Sequence, residues 1–115
     1  MTQTLNLLTA RCTAHAPALS AQDQAFYLAQ LPGWAVEGNA LVGRFGFDNF
    51  REVMDFANAV AEVAETHDHH PELSLRYRQA VVRFSTHSAG DQVTLNDVIC
   101  AVQVSHLPEA AGQRG

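Results

Sequence analysis

The stretch Glu65 to His87, ETHDHHPELSLRYRQAVVRFSTH, joins the end of one periodic segment to a break and then to two short alternating runs. Four of the chain's six histidines fall inside it. His67, His69 and His70 sit where the spacing predicts that a helix stops at Pro71, since proline and the residue before it resist the helical conformation. His87 closes what reads as a hairpin, and a hairpin that folds back returns it toward the first three. Histidine alone has an ordinary pKa between about 5 and 8, so the cluster is suited to proton transfer.

On the N-terminal side of this stretch, Phe50, Val53, Met54, Ala57, Val60, Ala61 and Ala64 recur at intervals of three and four, which predicts a long helix capped by Asp48. Before it, Trp34 to Glu37 and Leu41 to Phe47 flank Gly38-Asn39, a pair that tolerates positive φ and suits a tight turn between antiparallel strands. Leu41, Phe45 and Phe47 form one face of the second run, and Val42 and Arg44 the other. Ser20, with Asp23 three residues on, opens a short first helix that ends at Pro32-Gly33.

Within the opening stretch, Leu73, Leu75 and Tyr77 alternate with Ser74, Arg76 and Arg78, and Ala80 to Thr86 forms a β-branched partner run. Thr94 and Asp97 make a capping pair for a last helix with Leu95, Val98, Ile99 and Val102 on one stripe, ending before Pro108. The order is helix, hairpin, helix, hairpin, helix. The expected fold is therefore α+β, a four-stranded antiparallel sheet with three helices packed on one face. The expected organisation is an N-terminal arm over 1–18, one domain over 19–107 and a tail over 108–115.

Composition narrows the function. Seven arginines, no lysine and 12 carboxylates give a formal charge of −5, which disfavours a nucleic-acid groove or an anionic membrane surface. Apolar runs are too short for a bilayer, and no basic segment precedes an apolar one at the N-terminus. A cytoplasmic chain is expected, with Cys12 and Cys100 as free thiols. Four histidines are enough ligands for zinc, yet there is no HExxH spacing and the adjacent His69 and His70 do not readily face one ion, so no metal is expected. His67 reads as a partner of the helix dipole. An uncovered sheet edge invites a second copy of the chain, so a homo-oligomer, dimer or tetramer, is expected.

Glu65, His69, His70, Pro71, Tyr77, His87 and Asp97 stand at intervals that resemble the signature of the pterin-4a-carbinolamine dehydratases. The resemblance extends through LPGW (Leu31 to Trp34) and RFGFDNF (Arg44 to Phe50) and covers roughly residues 19 to 104. It implies dehydration of a 4a-hydroxytetrahydropterin to the quinonoid dihydropterin without metal or organic cofactor. By that resemblance His69 and His87 form the acid/base pair, and His70 with Pro71 binds and orients the substrate. Thr86, Ser88 and Ala89 belong to a loop that contacts the pterin through backbone groups. Glu65, one helical turn before His69, is expected to hold that ring, and Asp97 to act mainly as a carboxylate at the helix start.

Two segments differ from many members of that family. Leu73 replaces a tryptophan in ELSLRYR, and the loop after His87 reads SAGDQVT. They carry an alternative: a non-catalytic accessory protein of the same fold, like the family members that act as a dimerisation cofactor for a transcription factor in animals or as a RuBisCO assembly factor in bacteria with carboxysomes.

Overall fold

The computed structural model describes residues 7–110, so the first six residues of the expected arm and the last five of the expected tail lie outside the described residues. The elements run α1 (Ala21–Leu28), β1 (Trp34–Glu37), β2 (Ala40–Gly46), α2 (Phe50–His67), β3 (Glu72–Arg76), β4 (Gln79–Phe84) and α3 (Leu95–Ser105), with 3-10 turns at His87–Ala89 and Pro108–Ala110. The four strands form one antiparallel sheet in the order β1-β2-β4-β3. This is the α+β arrangement that the periodicities predict. Among the described residues no helix is long and apolar enough to cross a membrane.

Each hairpin register follows from its turn. Glu37 pairs with Ala40, which leaves Gly38-Asn39 as a two-residue turn, and Gly38 takes a φ of 62°. In the second hairpin Arg76 pairs with Gln79 around Tyr77-Arg78. Leu41, Phe45, Val82 and Phe84 then lie on the helix side of the sheet against Val53, Phe56 and Val60 of α2 and Ile99 and Val102 of α3. Phe56 and Phe84 are wholly buried, each contributing on the order of 1.5–3 kcal/mol through removal from water. Val42, expected on the polar face, is also buried; its cross-strand partner is Arg83, whose aliphatic stem is of the kind that covers such a neighbour.

Asn49, not Asp48, caps α2: its side chain accepts from the Glu52 N–H at 3.0 Å, while the Asp48 N–H donates to the Glu52 carboxylate at 3.2 Å. The cap lies one residue later than expected, because Asp and Asn both serve this role and pattern alone does not choose between neighbours. Ser20 and Thr94 cap α1 and α3 as expected, the latter in a complete capping box with Asp97.

Trp34 lies across Gly43, its cross-strand partner, and donates from its indole to Ser105 Oγ at 2.7 Å, which ties β1 to α3. A Cβ at position 43 would meet Trp34 ring carbons at 2.6–2.8 Å, closer than carbon atoms approach. Gly43→Ala should therefore displace the indole and destabilise the fold by about 1–3 kcal/mol, read as a lower urea midpoint with an unchanged slope.

Candidate active site

The site begins at the end of α2. Asp68 adopts a left-handed conformation with φ 50°, and the His69 N–H turns back to the Ala64 carbonyl at 3.0 Å. The helix thus stops at His67, four residues before Pro71, correcting the expectation that it runs to the proline. His69 and His70 leave the helical repeat, so the one-turn spacing from Glu65 to His69 loses its meaning. Glu65 instead meets His70, with Oε2 2.7 Å from Nε2, on an exposed surface where such a pair contributes little to stability.

His69 is held by Asp97. Its Nε2–H donates to Asp97 Oδ1 at 2.6 Å, and its ring stacks on Phe84 with centroids 5.8 Å apart and planes 7° from parallel. Asp97 is completely buried. Its Oδ2 accepts from the Thr94 N–H at 2.8 Å and from the Thr86 hydroxyl at 2.9 Å. Because Thr86 spends its proton on Asp97, the 2.6 Å bond between the two threonine hydroxyls runs from Thr94 to Thr86. Thr94 Oγ1 also accepts from the Asn96 N–H. Asp97 is therefore both the expected helix-start carboxylate and the group that orients a histidine from another part of the chain. Among the described residues no buried side-chain polar atom is left without a partner.

Burial works against the charged form of His69, but the hydrogen bond and charge of Asp97 outweigh it and raise its pKa above the usual 6.5. A histidine whose folded pKa exceeds its unfolded value contributes stability that is complete below the unfolded value and is lost as pH rises through the folded one. The difference in stability between the wild-type chain and His69→Phe should accordingly shrink as pH increases above 6.5. Urea unfolding at a series of pH values measures it, and a difference that grows with pH would contradict the assignment.

Two clefts meet at His87. One, of about 500 Å³, is lined by His67, His69, Thr86, His87 and Ser88 on one side and by Cys12 and Asn96 on the other. The second, of about 480 Å³, is lined by His70, Glu72, Arg83, Ser85, His87 and Asp91. His87 is almost fully exposed, with Nδ1 3.0 Å from Asp91 Oδ1. The fold brings His69, Thr86, His87 and Ser88 around one cleft and His70 with His87 around the other. Pro71 and Ala89 line neither of these two clefts. Among the described residues no three His, Cys, Asp or Glu side chains converge as a metal site.

Sequence reasoning missed the wall made by the arm. Asn96 accepts from the Thr13 N–H at 3.0 Å and donates to the Thr13 carbonyl at 2.8 Å. Gln103 donates to the Leu7 and Ala10 carbonyls, each at 3.0 Å. His67 accepts from the Cys12 N–H on Nδ1 at 3.3 Å and donates from Nε2 to Gln103 Oε1 at 2.8 Å, which makes it a neutral clamp between arm and helices as well as a helix-end residue. These partners lie far apart in sequence, and no local period announces them.

Fold and site together define a small α+β protein with histidine-lined clefts, one of its histidines held by a buried carboxylate. The family model described as pterin 4 alpha carbinolamine dehydratase matches residues 17–107. A Chromobacterium violaceum protein named "Putative pterin-4-alpha-carbinolamine dehydratase" is 42% identical over 105 residues, 90% of this chain and 96% of its own length. A Stenotrophomonas maltophilia protein of the same name is 48% identical over 84 residues, 71% of this chain and 72% of its own. The crystal structure of a transcriptional coactivator/pterin dehydratase from Brucella melitensis superposes with a TM-score of 0.74 at 31% identity, covering 82% of this chain and 99% of that one. This chain belongs to the pterin 4 alpha carbinolamine dehydratase family.

Proposed function

We propose that the chain is a dehydratase that converts a 4a-hydroxytetrahydropterin to the quinonoid dihydropterin and water by histidine acid/base catalysis. The observation that carries this reading is His69, oriented by the buried Asp97, on a cleft that His87 also lines. With Nε2–H committed to Asp97, His69 has Nδ1 for proton exchange, and its raised pKa favours the imidazolium that an acid requires. His69 gives that proton to the departing 4a-oxygen as the C4a–O bond breaks. His87 takes the proton from N5 as the C4a=N5 bond forms. Its Nδ1 faces Asp91, so Nε2 is the basic atom, and its exposure lets solvent return the protons to their starting places. Thr86 and Ser88 hold the pterin from the cleft of His69 and His70 from the adjoining one, Pro71 and Ala89 support His70 and Ser88 as their chain neighbours, and Glu65 fixes the His70 ring.

Self-association belongs to the same proposal. The edge strand β3 is exposed along its whole length, and Leu73 and Leu75 are both more than one-third exposed. Such an edge is a template for another strand, and we place the homo-oligomer contact there. The accessory reading, in which this edge engages a different protein, rests on the same exposure.

The deciding experiment follows dehydration of a synthetic 4a-hydroxytetrahydropterin with and without the purified chain, beside light scattering for mass. Acceleration that saturates with substrate supports the dehydratase. A folded chain with no effect on the rate overturns it and leaves the accessory reading.

A further inference from the structure

The two cysteines lie 88 positions apart in sequence, yet their sulfurs are 3.7 Å apart where the arm crosses α3. Neither is in a disulfide. Cys12 lies on irregular backbone and is partly exposed, lining the same 500 Å³ cleft as His69. Cys100 is wholly buried in α3 behind it. Nothing in the dehydration chemistry uses either thiol.

We propose that Cys12 and Cys100 form a peroxide-oxidisable dithiol, with Cys12 as the attacking sulfur and Cys100 as the resolving one, whose closure into a disulfide remodels the wall of the cleft. The hydrogen bonding sets these roles. Cys12 Sγ donates to the Asn96 carbonyl at 3.6 Å, so the bond between the thiols runs from Cys100 to Cys12. A donor aimed at Cys12 sulfur stabilises its thiolate, and the Cys100 hydrogen bond, with the nearby His69 imidazolium, lowers the Cys12 pKa against the effect of burial. Cys100, giving that bond and more deeply buried, moves the other way.

The oxidant is hydrogen peroxide. The Cys12 thiolate attacks one peroxide oxygen; the O–O bond breaks, sulfur loses two electrons to become a sulfenic acid, and the departing hydroxide takes up a proton as water. Cys100 sulfur then attacks Cys12 sulfur; the S–O bond breaks, the S–S bond forms, and the released hydroxide takes up the Cys100 proton as a second water. The sulfurs must close from 3.7 Å to about 2.05 Å, and Cys12, on irregular backbone, is the one of the two outside regular secondary structure, whereas Cys100 is set in α3. That movement draws Cys12 away from the cleft it lines and pulls on its N–H bond to His67.

The test treats the full chain with hydrogen peroxide and maps peptides by mass without reductant. A single intramolecular Cys12–Cys100 link, 2 Da lighter than the dithiol and reversed by dithiothreitol, is expected. In Cys100→Ala, dimedone should label Cys12 as the trapped sulfenic acid; in Cys12→Ser, Cys100 should stay unmodified. Labelling of Cys100 first, cross-links between chains, or two thiols that survive peroxide would overturn the proposal. The effect on the cleft rests on the dehydratase reading. There, the oxidised wild-type chain should turn over at least several-fold more slowly and recover on reduction, while peroxide leaves the turnover of Cys12→Ser unchanged. Equal turnover of oxidised and reduced protein refutes the link between the dithiol and the cleft. A reduced chain with no turnover sinks the dehydratase reading instead, and the peptide masses still decide the thiol chemistry.

Discussion

Replacing both His69 and His87 by alanine should bring dehydration of a 4a-hydroxytetrahydropterin close to its uncatalysed rate. Each residue supplies one half of a proton exchange, and a positioned acid or base contributes about 10²–10⁴-fold. The two losses should not multiply. Once either histidine is gone, water must serve one end of the reaction, so the double variant should fall short of the product of the single effects. Because His87 is almost fully exposed, His87→Ala should leave the unfolding midpoint unchanged and show its effect on kcat alone. His69→Ala removes a ring packed on Phe84 and bonded to Asp97, so its rate must be read beside a urea curve. Steady-state rates for the two singles and the double form the cycle. Single variants that keep the wild-type kcat would remove the histidines from the mechanism.

Removing the Asp97 carboxylate should be the most damaging single change to stability. The group is fully buried and accepts from His69, Thr86 and the Thr94 N–H. Asp97→Ala strands those donors and opens the capping box, at a cost of about 3–5 kcal/mol, a large part of a domain's total stability of about 5–15 kcal/mol. Asp97→Asn separates the fold from the chemistry. Its amide retains the shape, and with the carbonyl turned to Thr86 and Thr94 its NH₂ faces His69. The ring must then accept on Nε2 and carry its proton on Nδ1, the atom that the proposed mechanism uses for exchange. Burial remains while the charge that offset it is gone, so the His69 pKa should fall below 6.5. Folding should survive, with kcat down about a hundredfold or more. Nitrogen chemical shifts of His69 report the tautomer and the titration together, and an unchanged tautomer with full activity would break the link from Asp97 to the proton transfer.

The sequence by itself determined the order of elements, both hairpins and the three helices, because these depend on local spacing and composition: period two for β2 and β3, β-branched residues for β4, period three to four for α2, and turn or cap residues at Gly38, Ser20 and Thr94. It also marked His69, His70 and His87 as candidates, since adjacent histidines after a periodic run and a third at a hairpin's end are visible in one dimension. Only the tertiary structure decided which carboxylate holds which ring. A left-handed turn at Asp68 takes His69 out of the helical repeat and turns it to Asp97, 28 residues away, while Glu65 receives His70. The same holds for the arm, whose contacts with Asn96, Gln103 and Cys100 span more than 80 residues. Local periodicity carries no information about such pairs, because they are chosen by how the packed layers meet and not by the spacing of neighbours along the chain.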